Sequence, residues 1–295
     1  MDSPDAGRDA DRRERARRFA TLHQQGCFLL PNAWDAGSAR MLESAGFPAI
    51  ATTSAGIAFS YGRPDHGFHT EHPDGGRLDR TRLLARTQEI AQAVDVPVSA
   101  DLEDGYGAAP EVVAETVGLA LAAGAAGGNI EDFTGRRDAP LYARELSVDR
   151  IRAARAAVDA SGEPFVLVGR TDALITGGSI AEAIDRANAY LAAGADCAFV
   201  PGAADEATIT TLVAELDGPL NVVMGLTGGA LSLADLAALG VRRVTVGGSI
   251  ARTVYAQLRR AATELHDLGT FSYADAQLSH DDLNALFGEG PAQGG

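Results

Sequence analysis

Acidic side chains follow two apolar segments of this chain, and their number and spacing suit the binding of a metal ion. The segments are PVSADLEDGYG (97–107) and GGNIEDF (127–133), which place five carboxylates at the ends of two consecutive predicted strands: Asp101, Glu103, Asp104, Glu131 and Asp132. Carboxylates crowd one cleft only when a cation shares the space or when some of them stay protonated. Because hard cations prefer oxygen ligands, this cluster predicts a Mg²⁺ site, with Mn²⁺ as an alternative.

Three histidines could bind zinc instead, but the sequence around them predicts no regular element that would bring them together. His66, His69 and His72 lie within one loop, and histidine is a common ligand of zinc. The loop contains Gly and Pro and offers no clear helix that would place the three rings on one face. The carboxylate cluster is therefore the preferred metal site.

Small residues at the end of the second apolar segment could bind the carboxylate of a substrate. This segment ends in TTSAG (52–56), where Thr53, Ser54 and Ala55 offer backbone N–H groups and little side-chain bulk. The same residues are also expected in an ordinary tight turn, so both interpretations stay open.

An arginine at the end of the fifth apolar segment is a second candidate for substrate binding. The segment ends in Arg170, and a guanidinium at a strand end is a natural bidentate partner for a substrate carboxylate. A purely structural ion pair with Asp172 or Glu131 is the alternative.

Eight apolar segments recur along the chain and predict its architecture. They are continuous rather than alternating, as expected for strands that are buried on both faces of a parallel sheet. They lie at 28–34, 49–54, 97–103, 127–132, 165–171, 197–202, 220–225 and 243–249. Helix-like segments separate them, so eight strand-plus-helix units predict an α/β fold of the (β/α)8 TIM-barrel type. No GxGxxG follows the first strand, which disfavours a dinucleotide-binding fold.

The barrel is expected to be one domain at residues 1–270, with a charged N-terminal lead-in helix. Residues 271–295 are expected to add a C-terminal helix and a disordered tail. That helix would span SHDDLNALF, with Ser279 as its N-cap.

Composition narrows the classes of partner. The formal net charge of −15 argues against nucleic acid, which is bound through clustered Lys and Arg. No stretch approaches about 18 consecutive apolar residues, so no membrane association is expected. The start of the chain has no apolar centre of a secretory signal. Cys27 and Cys197 lie in apolar sequence and are expected to be structural thiols in a reducing cytoplasm.

Several of these segments, taken in order, resemble the isocitrate lyase/phosphoenolpyruvate mutase superfamily over about residues 20–270. The matching segments are PNAWDAGSARMLESAGFPAIATTSAG, SADLEDGYG, NIED, VLVGRTDAL and AYLAAGADCAFVPG. The resemblance implies a (β/α)8 barrel whose last helix is swapped between subunits. It also implies a homotetramer and a Mg²⁺ ion that holds a 2-oxo acid or its enolate.

The resemblance also implies roles for individual residues. The metal-binding positions correspond to Asp101, Glu103 and Glu131, although the family commonly has Asp at position 103. The catalytic positions correspond to Asp65, in the loop after the second strand, and to Arg170, which would also grip the substrate. The backbone segment that cradles the substrate carboxylate corresponds to Thr53, Ser54 and Ala55.

The loop after the fourth strand departs from the family. Cleaving lyases carry a Lys-Lys/Arg-Cys-Gly-His loop whose Cys protonates the enolate, whereas FTGRRDAPLYARE (133–145) has no Cys, Lys or His. An isocitrate or 2-methylisocitrate lyase is therefore not expected. The Lys and Asn of the mutase and hydrolase branches are absent too, and Pro201 stands where the mutase has His. Arg136, Arg137 and Tyr142 are the groups that could close over an anion, and Tyr142 is the candidate catalytic acid.

Together these features predict a Mg²⁺-dependent enzyme that acts through an enolate. Its partner would be a small anionic substrate, a 2-oxo acid or a di- or tricarboxylate such as a substituted malate or succinate. The predicted reaction is C–C bond cleavage, by a lyase or a hydrolase. A phosphonate mutase and a non-catalytic 2-oxo acid binder are the alternatives. The Gly-rich GLTGG (225–229) and VGGSIAR (246–252) leave a phosphate-ester enzyme as a further one.

Overall fold

All eight apolar segments contribute strands to one parallel sheet. The computed structural model describes residues 4–67, 77–227 and 231–288. Within these ranges the strands are β1 (Phe28–Leu30), β2 (Asn32–Ala33), β3 (Ile50–Thr52), β4 (Val98–Asp101), β5 (Gly127–Glu131), β6 (Val166–Arg170), β7 (Cys197–Phe199), β8 (Leu220–Val223) and β9 (Arg243–Thr245). Each pairs with its neighbours in parallel, in the order β1-β9-β8-β7-β6-β5-β4-β3-β2.

The first predicted strand is divided at Pro31, and its two parts close the barrel. β1 pairs with β9, from Phe28 opposite Arg243 to Leu30 opposite Thr245. β2 pairs with β3 on the other side. Proline has no N–H to give to a ladder, so the strand changes partner at this residue. The predicted (β/α)8 barrel is confirmed, with nine strand segments in the described part because the first strand is split.

Helices cover the outside of the sheet. In the described ranges they are α1 (Pro4–Leu22), α2 (Ala36–Ser44), α3 (Ser54–Ser60), α4 (Arg80–Ala93), α5 (Pro110–Ala122), α6 (Arg144–Ser161), α7 (Ile180–Ala192), α8 (Glu206–Glu215), α9 (Leu233–Leu239), α10 (Ser249–Asp267) and α11 (His280–Gly288), with a 3₁₀ turn at Ser272–Ala276. Side-chain N-caps start many of them, for example Ser179 at α7 and Ser232 at α9. Gly162 and Gly240 end α6 and α9 in the left-handed conformation that glycine favours.

The lead-in helix α1 closes the N-terminal end of the barrel. Phe19 is fully buried there. Its ring lies edge-on to Phe28, with centroids 6.4 Å apart, and is 5.8 Å from the guanidinium of Arg243. Both neighbours are the first residues of their strands. The charged N-terminal helix therefore provides the floor of the barrel interior.

The last barrel helix, α10, is poorly covered by its own chain. Only Ala251 of this helix is buried, while Val254, Leu258 and Leu265 are 49%, 62% and 42% exposed. The helix α11 instead packs on α2, where Arg40 donates to the carbonyl of Leu286 at 2.8 Å. None of the described helices is both long and apolar enough to cross a membrane.

Candidate active site

A cavity of about 750 Å³ opens at the C-terminal ends of the strands and contains most of the predicted site residues. It is lined by the predicted substrate segment (Thr53, Ser54, Ala55) and by Asp65, Asp101 and Arg170. A smaller cavity of about 290 Å³ adjoins it, shares Ser54, Asp65 and Arg170, and is lined by Glu103 and Glu131. Five separate stretches of sequence therefore meet at one end of the barrel, as the strand-end argument predicts.

Asp101 is the last residue of β4 and is held as an ionised carboxylate. Its Oδ2 accepts hydrogen bonds from the backbone N–H (2.9 Å) and the hydroxyl (2.7 Å) of Ser54. Its Oδ1 accepts from Nδ2 of Asn129 at 3.0 Å. Burial disfavours the charge, but Arg170 and these hydrogen bonds outweigh it, and the pKa of Asp101 lies below its ordinary value.

Arg170 ends β6 and pairs with two carboxylates. Its Nε and Nη2 donate to Asp172 at 2.6 and 2.9 Å, and its Nη1 lies 2.8 Å from Glu131. The structural ion pairs weighed from the sequence are therefore present. A guanidinium has five N–H donors, and these contacts within the described part of the chain use three of them, so two could serve a ligand in the cavity that Arg170 lines. Burial raises the pKa of Glu131 well above its ordinary value although Arg170 opposes this shift.

Glu103 is turned towards an arginine that the sequence did not single out. Its backbone is in the left-handed region, with φ of 51°. Its side chain pairs with Nε of Arg77 and accepts from the hydroxyl of Tyr106 at 3.3 Å. Burial raises the pKa of Glu103 to about 8, against the lowering effect of Arg77. Arg77 comes from a loop without sequence periodicity, so no signal indicated its role.

Asp65 and His66 bring the loop after β3 into the site. Burial, with the charge of Asp101 as the next cause, raises the pKa of Asp65 to about 6. Nδ1 of His66 lies 3.5 Å from Glu103 and 3.8 Å from Glu131, and burial lowers the pKa of His66 to about 4. His69 and His72, the other members of the zinc alternative, lie outside the described residues, as do the last two residues of the Gly-rich GLTGG segment, 228 and 229.

The substrate segment forms the start of α3 rather than a free turn. The hydroxyl of Thr53 accepts from the backbone N–H of Gly56 at 3.3 Å as the helix N-cap. The N–H of Ser54 is already used by Asp101. This leaves Ala55 as the residue of the predicted cradle whose N–H has no acceptor in the described part of the chain. Its contact with substrate stays a prediction.

Three of the acidic and candidate catalytic residues that the sequence analysis named do not line either cavity. Asp104 pairs with Arg77 and accepts from the hydroxyl of Tyr142 at 2.8 Å. Asp132 accepts from the hydroxyl of Tyr190 at 2.6 Å. Tyr142, the candidate acid, therefore lies on Asp104 outside both cavities, and burial raises its pKa to about 12. Its catalytic role stays a prediction.

The large cavity also contains polar residues that the sequence analysis did not single out, among them Asn129 and Arg243. Asn129 precedes Glu131 by two positions on β5, so the two-residue period of a strand places both on one face and could have indicated it. Arg243 opens β9 and lies deep in the same cavity. A charged residue inside an apolar segment was the available signal for it.

The acidic residues do not form a ready ligand set for a metal. Among the residues that the structure describes, no group of three or more His, Cys, Asp or Glu is arranged to hold an ion, because Asp101, Glu103 and Glu131 each have protein partners. Burial is the main cause of the raised pKa values of Asp65 and Glu103, and the charge of the nearby Asp101 adds to both shifts. Mg²⁺ keeps several waters and needs only one or two carboxylates. The oxygen donors therefore fit Mg²⁺ held largely through water.

Comparisons with known proteins show the family of this chain. The family of phosphoenolpyruvate phosphomutase matches residues 19–266. The 2,3-dimethylmalate lyase of Eubacterium barkeri is 31% identical over 268 residues, which cover 88% of this chain and 89% of that protein. A solved structure of a lyase or mutase from Burkholderia cenocepacia J2315 has a TM-score of 0.89 at 46% identity, covering 95% of this chain and 99% of that one. Oxaloacetate acetylhydrolase in complex with the product oxalate has a TM-score of 0.83 at 26% identity, covering 94% and 95%. The chain belongs to the phosphoenolpyruvate phosphomutase family, within the phosphoenolpyruvate mutase/isocitrate lyase superfamily.

Proposed function

We propose that this protein is a Mg²⁺-dependent enzyme that cleaves a C–C bond in a 2-oxo acid or in a substituted malate or succinate, as a lyase or a hydrolase. One observation carries the proposal: an ionised carboxylate, Asp101, and a guanidinium with free donors, Arg170, face the same cavity at the strand ends. The names of the similar proteins, a dimethylmalate lyase and an oxaloacetate acetylhydrolase, support the same reaction class.

Asp101 is the residue proposed to hold Mg²⁺ directly, with Glu103 and Glu131 holding its water ligands. When bound, Mg²⁺ stabilises the negative charge that develops on the keto oxygen of the substrate. Because Arg170 and the hydrogen bonds from Asn129 and Ser54 keep Asp101 ionised, it is ready to bind a cation at neutral pH.

The other residues bind the substrate and move protons. Arg170 uses its two remaining donors for a substrate carboxylate, and the segment 53–55 supports the second oxygen. Asp65 has a pKa of about 6, so both of its protonation states are populated near neutral pH and it can exchange a proton with the substrate. Tyr142 can serve as the acid only if the loop 133–145 brings its hydroxyl away from Asp104.

A phosphonate mutase is the second candidate. The match to the phosphoenolpyruvate phosphomutase family favours it. The loop 133–145 without Lys and Asn, and Pro201 in place of His, argue for cleavage instead. Both reactions need the same Asp101 and Arg170, so only the product separates them.

The test is a proton and phosphorus NMR time course with Mg²⁺ and with a chelator. The substrates are oxaloacetate, phosphonopyruvate, 2-methylisocitrate, isocitrate and 2,3-dimethylmalate, with Asp101→Ala as the control protein. We expect a Mg²⁺-dependent cleavage product that the control does not form. Exchange between a phosphonate and a phosphate ester would identify the mutase. Line broadening without a product would identify a non-catalytic binder, and an absence of any interaction would contradict the proposal.

We further propose a cytoplasmic homotetramer. Cys27 and Cys197 are unpaired thiols, as is usual in a reducing compartment. The exposed apolar side chains of α10 support an assembly in which this helix packs on a neighbouring subunit.

A further inference from the structure

A buried guanidinium lies at the floor of the large cavity. Arg243 is the first residue of β9 and is 2% exposed. It lines the same cavity as Asp101 and Arg170. Its Nη2 donates to the hydroxyl of Ser99 at 3.2 Å, while its Nε and Nη1 have no hydrogen-bond partner among the described residues. Two donor groups of a buried cation are therefore unused.

The charge of Arg243 has no counter-ion in contact with it. Among the described residues, none forms an ion pair with this guanidinium. Burial raises the pKa of the neighbouring Cys197 thiol to about 12, so this group stays neutral. Burial also lowers the pKa of His23 to about 4, and it too is neutral. Phe19 contributes only the face of its ring, 5.8 Å away.

Asp101 is the carboxylate whose charge acts on Arg243, and its oxygens already accept hydrogen bonds from other residues. It lies two residues beyond Ser99 on β4, about 7 Å along the strand. Its two oxygens accept hydrogen bonds from Ser54 and Asn129. A cation bound to Asp101 would neutralise the negative charge that acts on Arg243 from this distance. An unpaired buried charge is unfavourable, so the floor of the cavity is suited to an anion.

Two neutral polar residues complete the surroundings of Arg243. Asn221 lies directly opposite it on β8 and is fully buried. The amide of Asn221 donates to the hydroxyl of Thr245 at 3.4 Å, and both residues line the cavity. The floor thus presents hydrogen-bonding groups in an otherwise apolar barrel.

We propose that Arg243, with the amide of Asn221, forms a second anion subsite that binds a distal carboxylate of the substrate. This inference rests on the proposed function, in which Arg170 binds the carboxylate next to the keto group. The substrate would lie along the barrel axis with one carboxylate at each guanidinium. The substrate class narrows accordingly from 2-oxo acids in general to 2-oxo acids with a second carboxylate.

The test compares ligands that differ only in the distal group. Binding of 2-oxoglutarate and 2-oxopentanoate, which have the same number of carbon atoms, is measured by titration calorimetry with Mg²⁺ present. We expect the wild-type protein to prefer the diacid at least about tenfold, because hydrogen bonds to charged groups are strong. In Arg243→Met the preference should fall to about twofold or less, while the binding of oxalate, which cannot reach the floor, is unchanged.

Two further variants keep the test decisive. Arg242 lies beside Arg243 in sequence but outside the cavity, so Arg242→Met should keep the full preference. Asn221→Asp retains Arg243 and supplies an internal carboxylate, so it should lose the preference even if Arg243→Met does not fold.

The outcomes separate this inference from the proposed function. Oxalate binding without a diacid preference in the wild-type protein would overturn the subsite and leave the proposed function standing. An Arg243-dependent preference without Mg²⁺-dependent oxalate binding would support the subsite and contradict the metal site. If chloride raised the melting temperature of the wild-type protein but not of Arg243→Met, with no diacid preference, the floor would serve an inorganic ion and the proposal would be wrong.

Discussion

Two residues at this site, Glu103 and Tyr106, have an unfavourable backbone conformation and contact Arg77. Glu103 and Tyr106 are the described non-glycine residues with positive φ, and both contact Arg77. Such backbone conformations are unfavourable for residues other than glycine and concentrate at functional sites. The strain here turns Glu103 towards Arg77, which leaves Asp101 as the carboxylate best placed for a cation.

The substitution Asp101→Asn is expected to abolish Mg²⁺-dependent ligand binding. The amide keeps the size of the side chain but removes the charge that attracts the cation. Titration calorimetry with oxalate and Mg²⁺ measures the effect, and Asp138→Asn, in an exposed ion pair, is the matched control. Unchanged affinity in Asp101→Asn would remove Asp101 from the metal site.

The substitution Arg170→Ala is expected to weaken carboxylate binding by about 2–5 kcal/mol, the range for a buried charge pair. It should also lower the free energy of unfolding, because Glu131 and Asp172 would lose their partner. Calorimetry and urea unfolding measure the two effects separately. A loss of binding below about 0.5 kcal/mol with a large loss of stability would assign Arg170 a structural role only.

At the scale of elements, strands were predictable and loops were not. Apolar segments without alternation indicated each barrel strand, and the ends of β4 and β5 placed Asp101 and Glu131 in one site. Pro31 was a local signal for a break in the first strand, whereas the change of pairing partner there depends on barrel closure. The contacts of Arg77 and Tyr142 depend on loop conformations without a period, so the sequence could name Tyr142 but not its partner.

The helix α1 is expected to make stability depend on pH through His23. This ring is buried between Phe19 and Phe28, and burial lowers its pKa from 6.5 to about 4. Between pH 6.5 and about pH 4, His23 is therefore protonated in the unfolded chain but neutral in the folded chain. Stability is full above pH 6.5 and falls by up to about 3 kcal/mol as pH decreases to 4.

Urea unfolding between pH 4 and 7 measures this effect as the difference between the wild-type protein and His23→Phe. The variant has no ring to protonate, so between pH 7 and pH 4 the free energy of unfolding of the wild-type protein should fall relative to that of the variant by up to about 3 kcal/mol. His266→Phe, at a ring that is 88% exposed, is the control and should leave the pH dependence unchanged. A constant difference across the range would show that His23 does not titrate as expected.

At the scale of the whole molecule, α10 presents an apolar face that the barrel does not cover. Val254 and Leu258 are one turn apart and both exposed. We expect light scattering to give about 122 kDa, four times the chain mass of 30.5 kDa. Leu258→Glu should reduce this mass, because a charge would be buried between subunits.

The matched control is Leu119→Glu on α5, whose side chain is 40% exposed on a different helix. This variant should keep the mass of the wild-type protein. A wild-type monomer, or an equal loss of mass in both variants, would contradict an assembly through α10.

The pairing of β1 with β9 sets an order of events during synthesis on the ribosome. Phe28 and Arg243 are 215 positions apart, so the first strand waits for nearly the whole chain before it gains this neighbour. Until then it presents unpaired backbone groups, which favour association between chains. Nascent chains that stop short of β9 are therefore expected to be bound by chaperones and degraded by proteases. Once β9 has been synthesised, β1 can pair with it and the barrel can close.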